Sequence, residues 1–259
     1  FTPERAMRIA TWNVNSIRAR IDAVVDWLGR ALPDVLCLQE TKVVDDDFPT
    51  DELQRLGYAV AMAGQKTYNG VAIASRLPMK DVSIGLAGGE RDAEKRLIAA
   101  TVGGVRVLSA YVPNGKSVDS PSFAAKLDFM ERLALTLTPL GTVALCGDFN
   151  IAPDERDVFD PDAMRGQLHF HPDEHRALAR LTALCLVDAY RLHHTEGGRY
   201  SWWDYRGGGL QKNQGLRIDL VLLSRDLADR CTHAEIDQAE RLKDKPSDHA
   251  PVVVDLTLV

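Results

Sequence analysis

The sequence predicts an α/β fold, a sandwich of sheets with helices outside. Three observations carry this. The chain opens strand–helix–strand, with apolar runs at residues 8–12 and 34–39 around an amphipathic segment. Short apolar runs bounded by turn residues then recur to the C-terminus. Only about three segments show good helical periodicity, too few for a doubly wound parallel sheet.

With 259 residues, 45% hydrophobic and 26% charged, the chain can bury a sizeable core and is not broadly disordered. One domain over residues 7–259 is expected, since no linker-like or low-complexity stretch divides it. Residues 1–6, ahead of Met7, are set aside as a tail. No apolar run approaches a membrane span and no secretory pattern opens the chain. Cys37, Cys146, Cys185 and Cys231 form no C-x-x-C pair and read as buried free thiols of a reduced, cytoplasmic compartment. The net charge of −6 argues against a protein that coats DNA by charge alone. It leaves room for an enzyme with a basic rim around an acidic metal centre.

Taken in order, residues 8–12 form a first strand ending at Asn13-Val14-Asn15. Ser16 caps a helix whose apolar face is Ile17, Ile21, Val24, Val25 and Leu28, and Pro33 ends it. Residues 34–39 form a buried strand with Glu40 at its end. Residues 58–63 and 70–75 are two further strands, with the turn signal Asn69-Gly70 before the second. Residues 85–94 read as a loop. Residues 97–102 and 105–112 make a hairpin across Gly103-Gly104. A helix with the stripe Phe123, Leu127, Met130, Ala134 and Leu137 follows, with Pro139 beyond it.

Residues 143–146 then form a core strand that stops at Gly147-Asp148-Phe149-Asn150. In an extended segment residues i and i+2 share a face, so a carboxylate and a carboxamide project together. Residues 156–171 read as irregular. A helix opens at Pro172-Asp173-Glu174 and runs to Leu184. Residues 199–214 form an aromatic, glycine-rich loop and 217–223 a strand. A polar segment leads to Ser247-Asp248-His249, and residues 252–258 form the last strand. A faint internal echo links Asn13 and Asn150, each at the end of an apolar strand.

Polar groups therefore recur at strand ends: Asn13, Glu40, Tyr111, Asp148 with Asn150, Asp219, and Asp248 with His249. Each alone has a structural explanation as turn residue, surface partner or satisfied core group. Together they suit hydrolysis of a phosphate ester. Hard carboxylate oxygens such as Glu40 suit Mg²⁺. Tyr, Asn and His donors stabilise charge on phosphate oxygens. An Asp orients or deprotonates the attacking water. No G-x-S-x-G elbow supports a serine hydrolase. His169, His171 and His175 resemble metal spacing only superficially, because Pro172 interrupts them, and read as a solvated loop.

Leu38-Gln39-Glu40-Thr41-Lys42, Gly147-Asp148-Phe149-Asn150, Gly215-Leu216-Arg217-Ile218-Asp219 and Pro246-Ser247-Asp248-His249-Ala250-Pro251 resemble the exonuclease III family of abasic-site endonucleases. Tyr200-Ser201-Trp202-Trp203-Asp204-Tyr205-Arg206 strengthens the resemblance, which runs from about Met7 to the C-terminus. It implies a four-layer α/β sandwich: two packed, mainly antiparallel sheets flanked by helices, with the site at one end. It implies Mg²⁺, with Mn²⁺ as substitute, held principally by Glu40 with Asn13 and Asp248 nearby. Asp148, Asn150 and His249 are a further ligand set. By the same resemblance Asp148 orients or deprotonates water with support from Asn150, Tyr111 and His249 contact the phosphate, Asp248 polarises His249, and Asp219 holds the hydrogen-bond network. Whether Asp148 or His249 is the base stays open.

The resemblance further implies cleavage 5′ to abasic sites, 3′–5′ exonuclease and 3′-phosphatase activity in base excision repair. The expected partner is double-stranded DNA with abasic sites or blocked 3′ ends, met by a monomer in the bacterial cytoplasm at the nucleoid, with no membrane. Trp202 is placed against the abasic sugar and Asn114 reaches into the DNA. Lys95, Arg96, Lys116, Lys126, Arg206 and Lys212 are candidate phosphate contacts. Ser16, Gln214 and Trp203 depart from the bacterial pattern and bear on the balance of these activities.

Overall fold

The computed structural model describes residues 5–89, 93–138 and 140–258. β1 (Arg5–Asn13), α1 (Ile17–Ala31) and β2 (Val35–Gln39) form the opening unit, followed by α2 (Thr50–Gln54), β3 (Ala59–Ala63) and β4 (Val71–Ser75). β5 (Met79–Ile84), β6 (Leu97–Val102) and β7 (Val105–Tyr111) lead through α3 (Pro121–Leu137) to β8 (Val143–Asp148). Then come α4 (Pro161–Met164), α5 (Pro172–Thr182), β9 (Leu186–Asp188) and α6 (Ala189–His193). The chain closes with β10 (Trp202–Trp203), β11 (Gly215–Leu216), β12 (Asp219–Ser224), α7 (Arg225–Ala228), β13 (Cys231–Ile236) and β14 (Val252–Leu258).

Two six-stranded sheets result, ordered β13-β14-β1-β2-β4-β3 and β5-β6-β7-β8-β12-β9. Each holds a single parallel pair among antiparallel neighbours: β1 with β2, and β7 with β8. Each parallel pair is joined by a helix, α1 or α3, because parallel neighbours need a crossover. The internal echo is therefore real but shifted. Topologically Asn13, at the end of β1, corresponds to Tyr111 at the end of β7, and Glu40 after β2 corresponds to Asp148 at the end of β8.

Strand alternation makes the four layers. Met7, Ile9, Cys37 and Ile73 of the first sheet meet Ile98, Val107, Ala144 and Cys146 of the second in the central core. The opposite face of the second sheet, Leu108, Leu145 and Leu220, buries Met130 and Leu133 of α3 and Leu181 of α5. The outer face of the first, Trp12, Leu36 and Leu38, packs on Val24, Trp27 and Leu28 of α1. Being covered on both sides, the central strands read as unbroken apolar runs. Ser16 caps α1 by accepting from the Ala19 N–H, as expected.

Several local expectations change. β1 begins at Arg5, and Ala6 pairs with Thr257, so part of the set-aside tail belongs to the sheet. β5, β9 and β13 were not foreseen. β13 lies at a sheet edge where four of its six residues are polar or cysteine, so it has no apolar run. Residues 156–171 carry a 3-10 turn at Glu155–Asp157 and the short α4 rather than irregular chain. Cys37 and Cys146 are buried as expected, but Cys185 is exposed and Cys231 only half-buried. Residues 90–92 of the 85–94 loop, and Pro139, lie outside the described residues. Among the described residues no helix is long and apolar enough to cross a membrane.

Candidate active site

The strand ends named from the sequence converge. β1, β2, β7 and β8 deliver Asn13, Glu40, Tyr111 and Asp148 from their C-terminal ends. β12 runs antiparallel to β8 and delivers Asp219 from its start, directly opposite Asp148. His249 bridges to Trp202 just ahead of β14. Gly147 makes the last turn of β8 possible: a Cβ there would lie 1.9 Å from the Ala110 carbonyl oxygen.

Asn13 donates through Nδ2 to Glu40 Oε1 at 2.8 Å and to Asp148 Oδ2 at 2.9 Å, tying the two sheets together. His249 Nδ1 lies 2.8 Å from Asp219 Oδ2, and its Nε2 lies 3.6 Å from Asp148 Oδ2. Ser201 donates to that same Asp219 oxygen at 2.6 Å while accepting the Ile218 and Asp219 N–H groups. The carboxylate bonded to the His249 ring is thus Asp219, which corrects the expectation that Asp248 polarises it. Asp248 instead accepts from Asn15 at 3.1 Å and from the Trp202 indole at 3.0 Å.

Asn150 supports Asp148 through its backbone, whose N–H donates to Asp148 Oδ1 at 2.9 Å. Its side-chain Nδ2 donates to the Val112 carbonyl, and its Oδ1 accepts from Asn114 at 3.4 Å. Asn15, Glu40, Lys42 and Asn150 all take positive φ, which asparagine adopts readily but Glu40 and Lys42 hold only when their surroundings enforce it.

Burial pushes Asp148 up to about 7, aided by the Asp219 and Glu40 charges and opposed by His249 and the Asn13 bond. Burial works against a charged His249, but Asp219, Asp148 and Asp248 outweigh it and raise the imidazole to about 10. Burial, then Glu40 and Asp148, push the Tyr111 phenol well above its ordinary value, so it is a donor at neutral pH. Asp248 is half-buried, which raises it, yet the His249 charge and the bonds from Trp202 and Asn15 hold it below its ordinary value.

Glu40, Asp148 and His249 offer ligand atoms all within 4.8 Å of one another. Asp219 Oδ1 is buried without a hydrogen-bond partner. Four carboxylates thus face one imidazole and the Lys42 ammonium, 3.0 Å from Glu40 Oε2. This oxygen-rich, under-compensated set fits a hard divalent cation.

The other predicted contacts divide. Asn114, Lys116 and Arg206 are exposed, and Trp202 is half-buried. Lys126 is not available to DNA: it is fully buried and ion-paired with Glu174. The histidine segment is not solvated either. His169 and His175 are half-buried, with ring nitrogens on the Asn150 and Ala152 carbonyls. Arg96 stacks over the Tyr111 ring, 4.8 Å from its centroid. Lys42, Asn15 and Ser201 were missed. Their signal was available, since each lies within a quoted motif.

Two sheets that bring acids, an imidazole and a phenol to one rim define a phosphoester hydrolase. A family model described as Endonuclease/Exonuclease/phosphatase matches residues 10–249. The chain belongs to that family, on its exonuclease III side, and is a nuclease. It is 35% identical to exodeoxyribonuclease III of Haemophilus influenzae, covering 95% of this chain and 98% of the relative. A Neisseria 3′ phosphatase, NExo, solved with a product DNA hairpin, superposes with a TM-score of 0.95 at 41% identity, covering 96% of this chain and 99% of that one. An AP endonuclease from Archaeoglobus fulgidus gives 0.92 at 41% identity, covering 96% and 98%.

Proposed function

We propose that this nuclease hydrolyses phosphate esters of damaged double-stranded DNA in base excision repair. It cuts the phosphodiester 5′ to abasic sites and trims blocked 3′ ends. The observation that carries this is the unbroken set Glu40–Asn13–Asp148–His249–Asp219, spanning both sheets, with Trp202 bonded to Asp248 beside it.

Glu40, with Asp148 and Asn13 adjacent, would hold Mg²⁺, or Mn²⁺ in its place. When bound, the cation supplies positive charge to the phosphate oxygens. Asp219 and Ser201 fix the His249 ring so that Nε2 faces the reacting centre. The surrounding carboxylates keep that ring protonated, which makes it a donor to phosphate oxygen and leaves Asp148 to orient and deprotonate water. Tyr111 and Asn150 add neutral donors. Trp202 packs the baseless sugar, and Asn114, Lys116 and Arg206 position the backbone. The protein works as a monomer, in the cytoplasm at the nucleoid.

A second reading, in which 3′-end processing dominates over abasic-site incision, draws on the likeness to the Neisseria 3′ phosphatase, which at 41% identity stands level with the likeness to the AP endonuclease. The test is a duplex with one abasic-site analogue beside a duplex ending in a 3′-phosphate, each with Mg²⁺ and with EDTA, using wild type and Asp148→Asn. Mg²⁺-dependent incision 5′ to the lesion, lost in the variant, establishes the first reading. Phosphate release without incision establishes the second. Neither product from folded protein removes both.

A further inference from the structure

Behind the site lies a buried charge pair that the chemistry above does not use. Lys126 of α3 and Glu174 of α5 are wholly buried and ion-paired, each on a helix packed against the outer face of the second sheet. The ammonium has two other partners, and both are backbone. It donates to the Asn150 carbonyl at 2.6 Å and to the Asn114 carbonyl at 3.2 Å. His169 places Nδ1 on the same Asn150 carbonyl at 2.6 Å. Glu174 turns its other oxygen to the His171 N–H at 3.0 Å, closing the cap of α5. Asn150 sits at φ 51, in the left-handed region. Asparagine tolerates this region better than other non-glycine residues, so what the Lys126 and His169 bonds fix is the orientation of the Asn150 carbonyl and of the peptide that carries it.

We propose that Lys126 is a positioning residue for the reaction. It pins the carbonyls of Asn150 and Asn114, fixes the orientation of the peptides that carry them, and so aims the Asn150 N–H at Asp148 and brings the two carboxamides together. Glu174 supplies the counter-charge that lets an ammonium stay buried. The alternative use of a buried salt bridge, holding α3 to α5, does not require that the lysine reach two loop carbonyls on the catalytic side. The inference rests on the assignment of Asp148 and Asn150 to the reaction.

The test separates anchoring from stability by comparing Glu174→Gln with the double variant Glu174→Gln/Lys126→Met. Glu174→Gln removes the counter-charge but keeps the donor. It should melt lower than wild type while keeping kcat on the DNA substrate within about threefold. Adding Lys126→Met, close in shape but without a donor, should lower kcat a further roughly 10–100-fold with KM little changed, the scale expected from a small misplacement of reacting groups. Lys126→Gln in the same background is the milder change: its shorter amide cannot reach both carbonyls, so its loss should fall between the two. Either double variant matching Glu174→Gln in kcat would overturn the proposal. So would a Glu174→Gln loss as large as the double variant's. A structure of the Met variant supplies a readout independent of turnover: the Asn150 carbonyl should change its orientation, and an unchanged orientation would count against the anchor. Wild type inactive on every DNA substrate would instead refute the functional reading, with the conformational result still interpretable.

Discussion

The Trp202 indole N–H donates to the Asp248 carboxylate at 3.0 Å, and the other Asp248 oxygen accepts from Asn15. Asn15 in turn accepts from Lys42, which pairs with Glu40. The aromatic proposed to meet the lesion is thereby wired to the candidate metal ligand. Trp202→Ala should lower discrimination between abasic and intact duplex by about 1–3 kcal/mol, the worth of one aromatic contact with a nucleotide. Trp202→Phe should keep the discrimination but lose about 1–2 kcal/mol of stability, because Asp248 loses a donor. The ratio of kcat/KM on the two duplexes checks the first, and equal losses on both would remove Trp202 from the pocket.

Asp148→Asn should keep the fold and lose about 10²–10⁴-fold in turnover. Burial is the largest cost of a charged Asp148, with Asp219 and Glu40 adding to it, so a neutral amide removes more than it forfeits in the attraction to His249. A melting temperature equal to or above that of wild type, with turnover lost, is the expected pairing. An unchanged rate would take Asp148 out of the mechanism.

Divalent metal should stabilise the metal-free protein. Binding to the folded state alone contributes about 2.7 kcal/mol at a hundredfold excess over Kd. Thermal melts with EDTA and with increasing Mg²⁺ read this directly, without any substrate. Glu40→Gln should abolish most of the rise. A rise of full size in that variant would place the ion elsewhere.

Burial, and then the Lys126 charge, lower His169 to about 3. The folded value lies below the ordinary one near 6.5, so the unfolded chain takes up the proton first. The contribution of neutral His169 is complete above pH 6.5 and is lost progressively as pH falls from 6.5 towards 3. Between pH 7.5 and 4.5 this amounts to about 2.7 kcal/mol. Denaturant unfolding of wild type and His169→Gln at both pH values should show the variant losing less on acidification. Parallel losses would show that His169 does not carry the effect.

The elements that were legible in the sequence are those whose signal is local. Residues 143–146 and 34–39 are covered on both faces, so apolar content alone marks them. β13 was not legible, because its partner β14 supplies the apolar side and an edge tolerates polar residues. Among site residues, Asp148, Glu40 and His249 were recognised from motifs. The partnership of His249 with Asp219 rather than with adjacent Asp248 was not, since it depends on β12 lying antiparallel beside β8. Lys126 was misread for a related reason. A lysine among helical apolar positions reads as surface unless the acid that neutralises it, forty-eight residues away, is known.

The first sheet is assembled from both extremes of the chain, with β1 beside β14, and His249 arrives only just before that final strand. During synthesis, Asn13 and Glu40 leave the ribosome long before Asp219 and His249 exist. The early helices and the β5–β8 part of the second sheet can form before β12 emerges, but the hydrolytic site cannot. A nascent or truncated chain ending before residue 249 should therefore lack hydrolytic activity, and activity regained on refolding should require the most non-local pairing in the chain, β1 with β14.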